Sequence, residues 1–161
     1  MGFLNTERYR KFVPNKSENA MSTLVKILIA IILNTTFSYA QDTNIHDVKV
    51  HINGLKNSKG KLLVGLYTDE ASFLKKQFKS KVVTIENEKG TLVFKDVPEG
   101  IYAVSFIHDK NDNGKMDTNF MGIPKEDYGC SNNAKGFMGP PKWEDAKFEL
   151  KGKDKTITIS I

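Results

Sequence analysis

The stretch GTLVFKDVPEGIYAVSFIH, residues 90–108, decides how the rest of the chain is read. Leu92, Phe94 and Val97 supply the apolar side of one extended segment, Pro98-Glu99-Gly100 is a turn, and Ile101 to His108 form a second extended segment. Side chains of an extended backbone point alternately to two faces, so a period near two marks a half-buried strand.

Outward from this stretch the same period recurs. Upstream, Val48, Val50 and Ile52 alternate with Lys49 and His51, and Asn57-Ser58-Lys59-Gly60 turns into Leu62, Val64 and Leu66. Val83 and Ile85 mark a third strand, and Asn87-Glu88-Lys89-Gly90 turns into the quoted segment. Downstream, Ala146, Phe148 and Leu150 alternate with Lys147 and Glu149, and Gly152-Lys153-Asp154 precedes Ile157, Ile159 and Ile161. Seven strands with short turns predict an all-β domain over residues 44–161, a seven-stranded Ig-like or prealbumin-like β-sandwich. One short helix is expected over Asp69–Lys79, where Ala71, Leu74 and Phe78 fall at helical spacing and Thr68 or Asp69 can cap it. Phe94, Val104, Phe106, Phe148 and Ile159 lie on the more apolar strand faces and are expected in the core.

Ahead of the domain stands a leader. Lys26 precedes the apolar run Ile27 to Leu33, and Ser38-Tyr39-Ala40 places small residues where a signal peptidase cuts. Residues 21–40 therefore read as a secretory signal, with a mature chain beginning at Gln41. Residues 1–20 read as a gene-call extension upstream of a start at Met21. Met1-Gly2-Phe3-Leu4-Asn5-Thr6 fits an N-myristoylation pattern, but an acylated cytosolic end is incompatible with export through a downstream signal. The apolar run falls well short of the ~20 residues that span a bilayer, so no membrane anchor is expected after cleavage. Cys130 is the only cysteine, which excludes an internal disulfide and a lipidated cysteine after the cut. With no Asn-x-Ser/Thr sequon after the leader, a bacterial periplasmic or secreted protein is expected.

Charge excludes another class of partner. The chain carries a formal +5, but residues 1–40 hold five basic and two acidic side chains and supply most of it. The remaining charges alternate in sign without a basic block, so nucleic-acid binding is not expected.

Between the fifth and sixth expected strands runs a long insert, residues 109–145. Connections beyond ~15 residues without regular structure are uncommon and often functional. The insert opens Asp109-Lys110-Asn111-Asp112-Asn113-Gly114-Lys115-Met116-Asp117, which fits the start of a calcium loop. Calcium takes six to eight oxygens, and residues at alternate positions turn theirs inward together. Asp109, Asn111 and Asn113 would give side-chain oxygens, Gly114 the sharp bend, Lys115 its carbonyl, and Asp117 a direct or water-mediated ligand. Phe120 stands where an EF-hand has a bidentate glutamate, leaving Glu126 or Asp127 to fold back in its place. With so few charged ligands, Ca²⁺ would bind weakly, with Kd on the order of 10⁻⁴ to 10⁻³ M. The competing expectation is a metal-free turn, since Asx side chains bond to nearby backbone unaided.

Phe120, Met121, Ile123, Tyr128, Phe137, Met138 and Trp143 are expected to form a small satellite core at one end of the sandwich. A ligand-binding patch is the alternative, because Trp, Tyr and Met favour recognition surfaces. For chemistry, His108 could serve as base to Cys130, or the methionines with His108 and Cys130 could hold Cu(I). No triad, P-loop or zinc spacing accompanies them, so no enzyme is expected. An envelope hydrolase or metal-handling protein centred on His108 and Cys130 stands as the alternative.

The run His108-Asp109-x-Asn111-x-Asn113-Gly114-Lys115-x-Asp117, then Gly122-Ile123-Pro124-x-Glu126-x-Tyr128-Gly129, Ser131-Asn132-Asn133 and Gly139-Pro140-Pro141-x-x-x-Asp145-Ala146-x-Phe148, resembles the exported bacterial family called domain of unknown function 2141. The resemblance covers about Val48 to Ile161 and implies export and bacterial origin, with no activity attached. Cys130 departs from the apolar residue, often Phe, expected there. Separately, Phe94-x-Asp96-Val97-Pro98-x-Gly100-x-Tyr102 is similar to the strand-turn-strand of transthyretin-like and carboxypeptidase-regulatory-like sandwiches, which bears on fold alone. The expected role is an exported, non-enzymatic binding or accessory module whose insert meets an envelope partner or a small ligand.

Overall fold

Alternating burial along the chain converts the period-two pattern into strands: in β1 (Ile45–Asn53), Val48, Val50 and Ile52 are buried while Lys49 between them is exposed. The computed structural model describes residues 22–29 and 44–161. Two units are distinguished, Met1–Asp42 and Thr43–Ile161. In the first, residues 22–29 are helical. The expected extension over 1–20 and the cut after Ala40 lie outside the described residues. No helix among the described residues is long and apolar enough to cross a membrane.

The second unit continues with β2 (Lys61–Tyr67), β3 (Lys79–Thr84), β4 (Gly90–Pro98), β5 (Gly100–Asp109), β6 (Tyr128–Cys130), β7 (Phe148–Leu150) and β8 (Lys155–Ser160). One sheet has the order β4-β1-β8, with β1 antiparallel to β4 and parallel to β8. The other runs β3-β2-β5-β6, with β7 also paired to β5. Leu62, Val64, Leu66, Val104 and Phe106 of this sheet share one buried cluster with Val48, Val50, Ile52, Phe94 and Ile159 of the first. The five expected core residues are all buried there, and an all-β sandwich follows.

The next residue along each strand faces the other way. Tyr67, Ala103 and Cys130 therefore join a second cluster on the outer face of the five-stranded sheet, with Phe73, Trp143 and Ala146. Phe73 meets Tyr67 edge-on at 5.4 Å between ring centroids and Trp143 at 5.7 Å.

Three expectations need correction. Eight strands are present among the described residues, the additional one being β6 inside the insert, where β5 offers an open edge at Ser105–Ile107. The helix over Asp69–Lys79 does not form. Asp69 does cap the segment, its Oδ1 accepting from the Ser72 N–H at 2.8 Å. Leu74 then takes φ 57, a left-handed conformation that ends a helix after one turn. Phe73, rather than Leu74 or Phe78, is the side chain buried, and the Phe78 N–H returns to the Leu66 carbonyl to begin β3. Ala146 belongs not to a strand but to a short helix, Trp143–Ala146.

Candidate functional site

All the expected loop residues lie together at the end of β5. Asp109 is fully buried, and its carboxylate accepts from the Asn113 N–H at 3.0 Å and the Gly114 N–H at 2.8 Å. Gly114 makes the bend at φ 79. Asn113 Oδ1 accepts from the Lys115 N–H at 3.0 Å. Asn111 Nδ2 and Asn113 Nδ2 donate to the two oxygens of Asp117 at 2.7 and 3.0 Å. Phe120 is exposed and takes no part. Glu126 folds back instead: only 7 % exposed, it accepts from the Lys110 N–H at 2.9 Å and the Asp117 N–H at 3.0 Å.

Asp127, the other candidate for that place, is engaged elsewhere. Lys110 Nζ and Lys56 Nζ bond to its two oxygens at 2.8 and 2.9 Å. Burial pushes its carboxyl upward, but the hydrogen bonds from Lys110 and Lys56 outweigh this and hold it below the usual range. Among the described residues no group of three or more His, Cys, Asp and Glu side chains is placed to hold a metal ion. The loop as it stands is closed by its own amides.

His108 and Cys130 do not meet, which argues against the hydrolase alternative centred on that pair. Cys130 pairs across the ladder with Ser105, an odd number of residues from His108, so the two side chains leave opposite faces of the sheet. His108 is fully buried on the inner side, with Nε2 bonded to the Lys59 carbonyl at 2.7 Å. Nδ1 has no hydrogen-bond partner and stands 3.9 Å from Asp127 Oδ2. Burial pushes the Cys130 thiol up to about 12, so near neutral pH it is protonated and a poor nucleophile.

The motif Ser131-Asn132-Asn133 is a splice between strands. β6 and β7 follow one another along β5, and Ser131 fills the seam: its Oγ accepts from the Val104 N–H at 3.0 Å and donates to the Ala146 carbonyl at 2.5 Å. Asn132, at φ 59, donates to the Lys147 carbonyl at 2.9 Å, and Asn133 Oδ1 accepts from the Ser160 N–H at 2.9 Å. Gly129 just before them has no room for a side chain, since a Cβ there would come within 2.8 Å of Phe106 and 2.9 Å of Ile159.

The expected satellite core forms only in part. Trp143 is buried, but Phe120, Met121, Ile123, Phe137 and Met138 are exposed, the two phenylalanines and Met138 by more than 90 %. The physical reason is that Phe73, from the turn that replaces the expected helix, already covers Trp143 and Tyr67. The insert loops are left standing over the outer sheet face and enclose a groove of about 740 Å³. Its floor includes Tyr67, Ser105 and Ile107, and its walls Met121, Ile123 and Met138. Two hydroxyls meet at the floor, Ser105 Oγ donating to Tyr67 Oη at 3.2 Å. Such a surface offers shape and apolar contact, with few polar groups to orient a guest.

A family model described as "Uncharacterized protein conserved in bacteria (DUF2141)" matches residues 50–158. Comparison with curated proteins gave no match.

Proposed function

We infer the role of this chain, which belongs to the DUF2141 family of proteins conserved in bacteria, from the surface its insert builds: it is an exported, non-enzymatic binding module that takes a small, largely apolar ligand. The observation that carries this reading is the groove on the outer sheet face. Its volume falls within the ~300–1,000 Å³ of small-molecule sites, and its wall exposes methionines that adapt to a guest's shape. Export rests on the leader over 21–40 and places the module in the periplasm or outside the cell. The sandwich reads as prealbumin-like or Ig-like, an assignment supported by the corner in which Tyr102 Oη donates to the Pro98 carbonyl at 2.9 Å.

The loop at the end of β5 is part of this reading as a weak calcium site. Its donors are all hard oxygens: Asp109, Asn111, Asn113, the Lys115 carbonyl and Asp117, with Glu126 in place of the missing EF-hand glutamate. Glu126 supports this reading by its place beside the loop, where the EF-hand glutamate would stand, although here its oxygens accept from the Lys110 and Asp117 N–H groups. A bound cation would require the two asparagine amides to turn their oxygens toward it.

N-phenyl-1-naphthylamine, a neutral probe that fluoresces in apolar surroundings, tests the groove. Saturable one-to-one binding is expected, and Ile107→Trp, which fills the floor, should remove it while leaving the melting temperature in place. Unsaturable binding, or equal binding by a folded Ile107→Trp, overturns the groove as the site.

A further inference from the structure

The loops that wall the groove do more than enclose it: their tips point apolar side chains into water. Over residues 118–125 the exposed apolar side chains are Phe120, Met121 and Ile123, and over 132–142 they are Phe137 and Met138. Both loops border the same groove, through Ile123 on one and Met138 on the other, so the tips share one side of the domain. Phe120 and Phe137 do not line the groove and serve no fold contact that would bury them. Exposed apolar clusters of this kind mark protein or membrane contact sites.

Charge selects between those partners. The two segments contain Lys125, Lys135 and Lys142 and no acidic residue. All three lysines are exposed, and none is in an ion pair among the described residues. A second copy of the chain docked on these tips would bring lysine against lysine. An anionic lipid surface instead meets the ammonium groups with headgroup phosphates, while the phenylalanines and methionines enter the acyl boundary.

We propose that the chain docks on anionic lipid bilayers through the tips of loops 118–125 and 132–142, Phe120 and Phe137 entering the interface and Lys125, Lys135 and Lys142 holding the headgroups. This goes beyond the groove reading, and it places the groove mouth at the lipid surface, where an apolar ligand enters without crossing water.

Protein recovered from an exporting bacterial host and mixed with vesicles of equal parts phosphatidylglycerol and phosphatidylcholine tests it. Co-sedimentation with these vesicles is expected, and little with phosphatidylcholine alone. Each Lys→Ala change should lower the partition about fivefold, and added salt should lower it further. The double variant Phe120→Ser with Phe137→Ser should abolish it while naphthylamine binding in solution is unchanged. Ile107→Trp should do the reverse, so the two readings fail separately. Equal sedimentation with both vesicle types, or full sedimentation by the double variant, overturns the proposal. So does a concentration-dependent doubling of mass in free solution that the double variant reverses, which would show that the tips pair two copies.

Discussion

Ser131 shows how one side chain can hold two strands to a third. It is fully buried and serves the Val104 N–H and the Ala146 carbonyl at once, where neither β6 nor β7 reaches. Ser131→Ala leaves both backbone groups buried without a partner, and the loss should be about 1–3 kcal/mol in urea unfolding. A loss within the ~0.5 kcal/mol of an ordinary surface change would mean that the seam does not depend on the hydroxyl. Core residues such as Phe94 and Phe106 were legible in the sequence because alternation alone assigns them a face. Ser131, Asn132 and Asn133 were visible only as a family motif. Their work is to satisfy backbone groups brought near by the fold, and no local period carries that information. Glu126 lay between: the loop pattern lacks the acid an EF-hand has at its end, but the return of Glu126 to the loop backbone depends on β6 pairing with β5.

At the scale of elements, the strands were legible and the segments between them were not. The turn after Asp69 carried a valid cap and helical spacing, yet Phe73 finds Tyr67 and Trp143, and that tertiary contact outweighs a weak local preference. β6 is three residues long, too short for a period of two to register. The insert's first turn is the element on which a cation would act. Anything bound only by the folded state stabilises it by RT ln(1 + [L]/Kd), about 2.7 kcal/mol at a hundredfold excess over Kd. About 10 mM calcium, a hundredfold excess if Kd is near 10⁻⁴ M, should therefore raise the melting temperature by several degrees, and magnesium by less, because it keeps its waters. Asp109→Ala, Asp117→Ala and Glu126→Gln should each remove most of the rise. Asp112→Asn is the control: the residue is exposed, bonded to Lys61 Nζ at 3.1 Å, and sits at φ 58, where asparagine is comfortable. Identical melting with calcium and with chelator would leave the metal-free turn as the explanation.

For the whole molecule, the division of labour runs through the five-stranded sheet. Its inner face closes the core against the β4-β1-β8 sheet, and its outer face, partly covered by Phe73 and Trp143, is left to the insert. Processing belongs at this scale as well. If the leader is cut after Ala40, the intact mass of protein from an envelope or culture fraction should correspond to residues 41–161. Recovery of Met1 or an acylated Gly2 in a cytosolic product would contradict export. The parallel pairing of β1 with β8 bears on how such a chain reaches its destination. β1 is made first in this domain and β8 last, so β1 waits for one of its two ladder partners until synthesis of the domain is nearly over. Ile157 and Ile159, which complete the inner cluster, arrive equally late. Earlier strands can pair, β1 with β4 and β2 with β3 and β5, but the β1 edge and the inner cluster stay open until β8 arrives. If the leader directs export, the late arrival of the last strand would leave the sandwich unfinished, and the polypeptide still threadable, for as long as an export channel needs it.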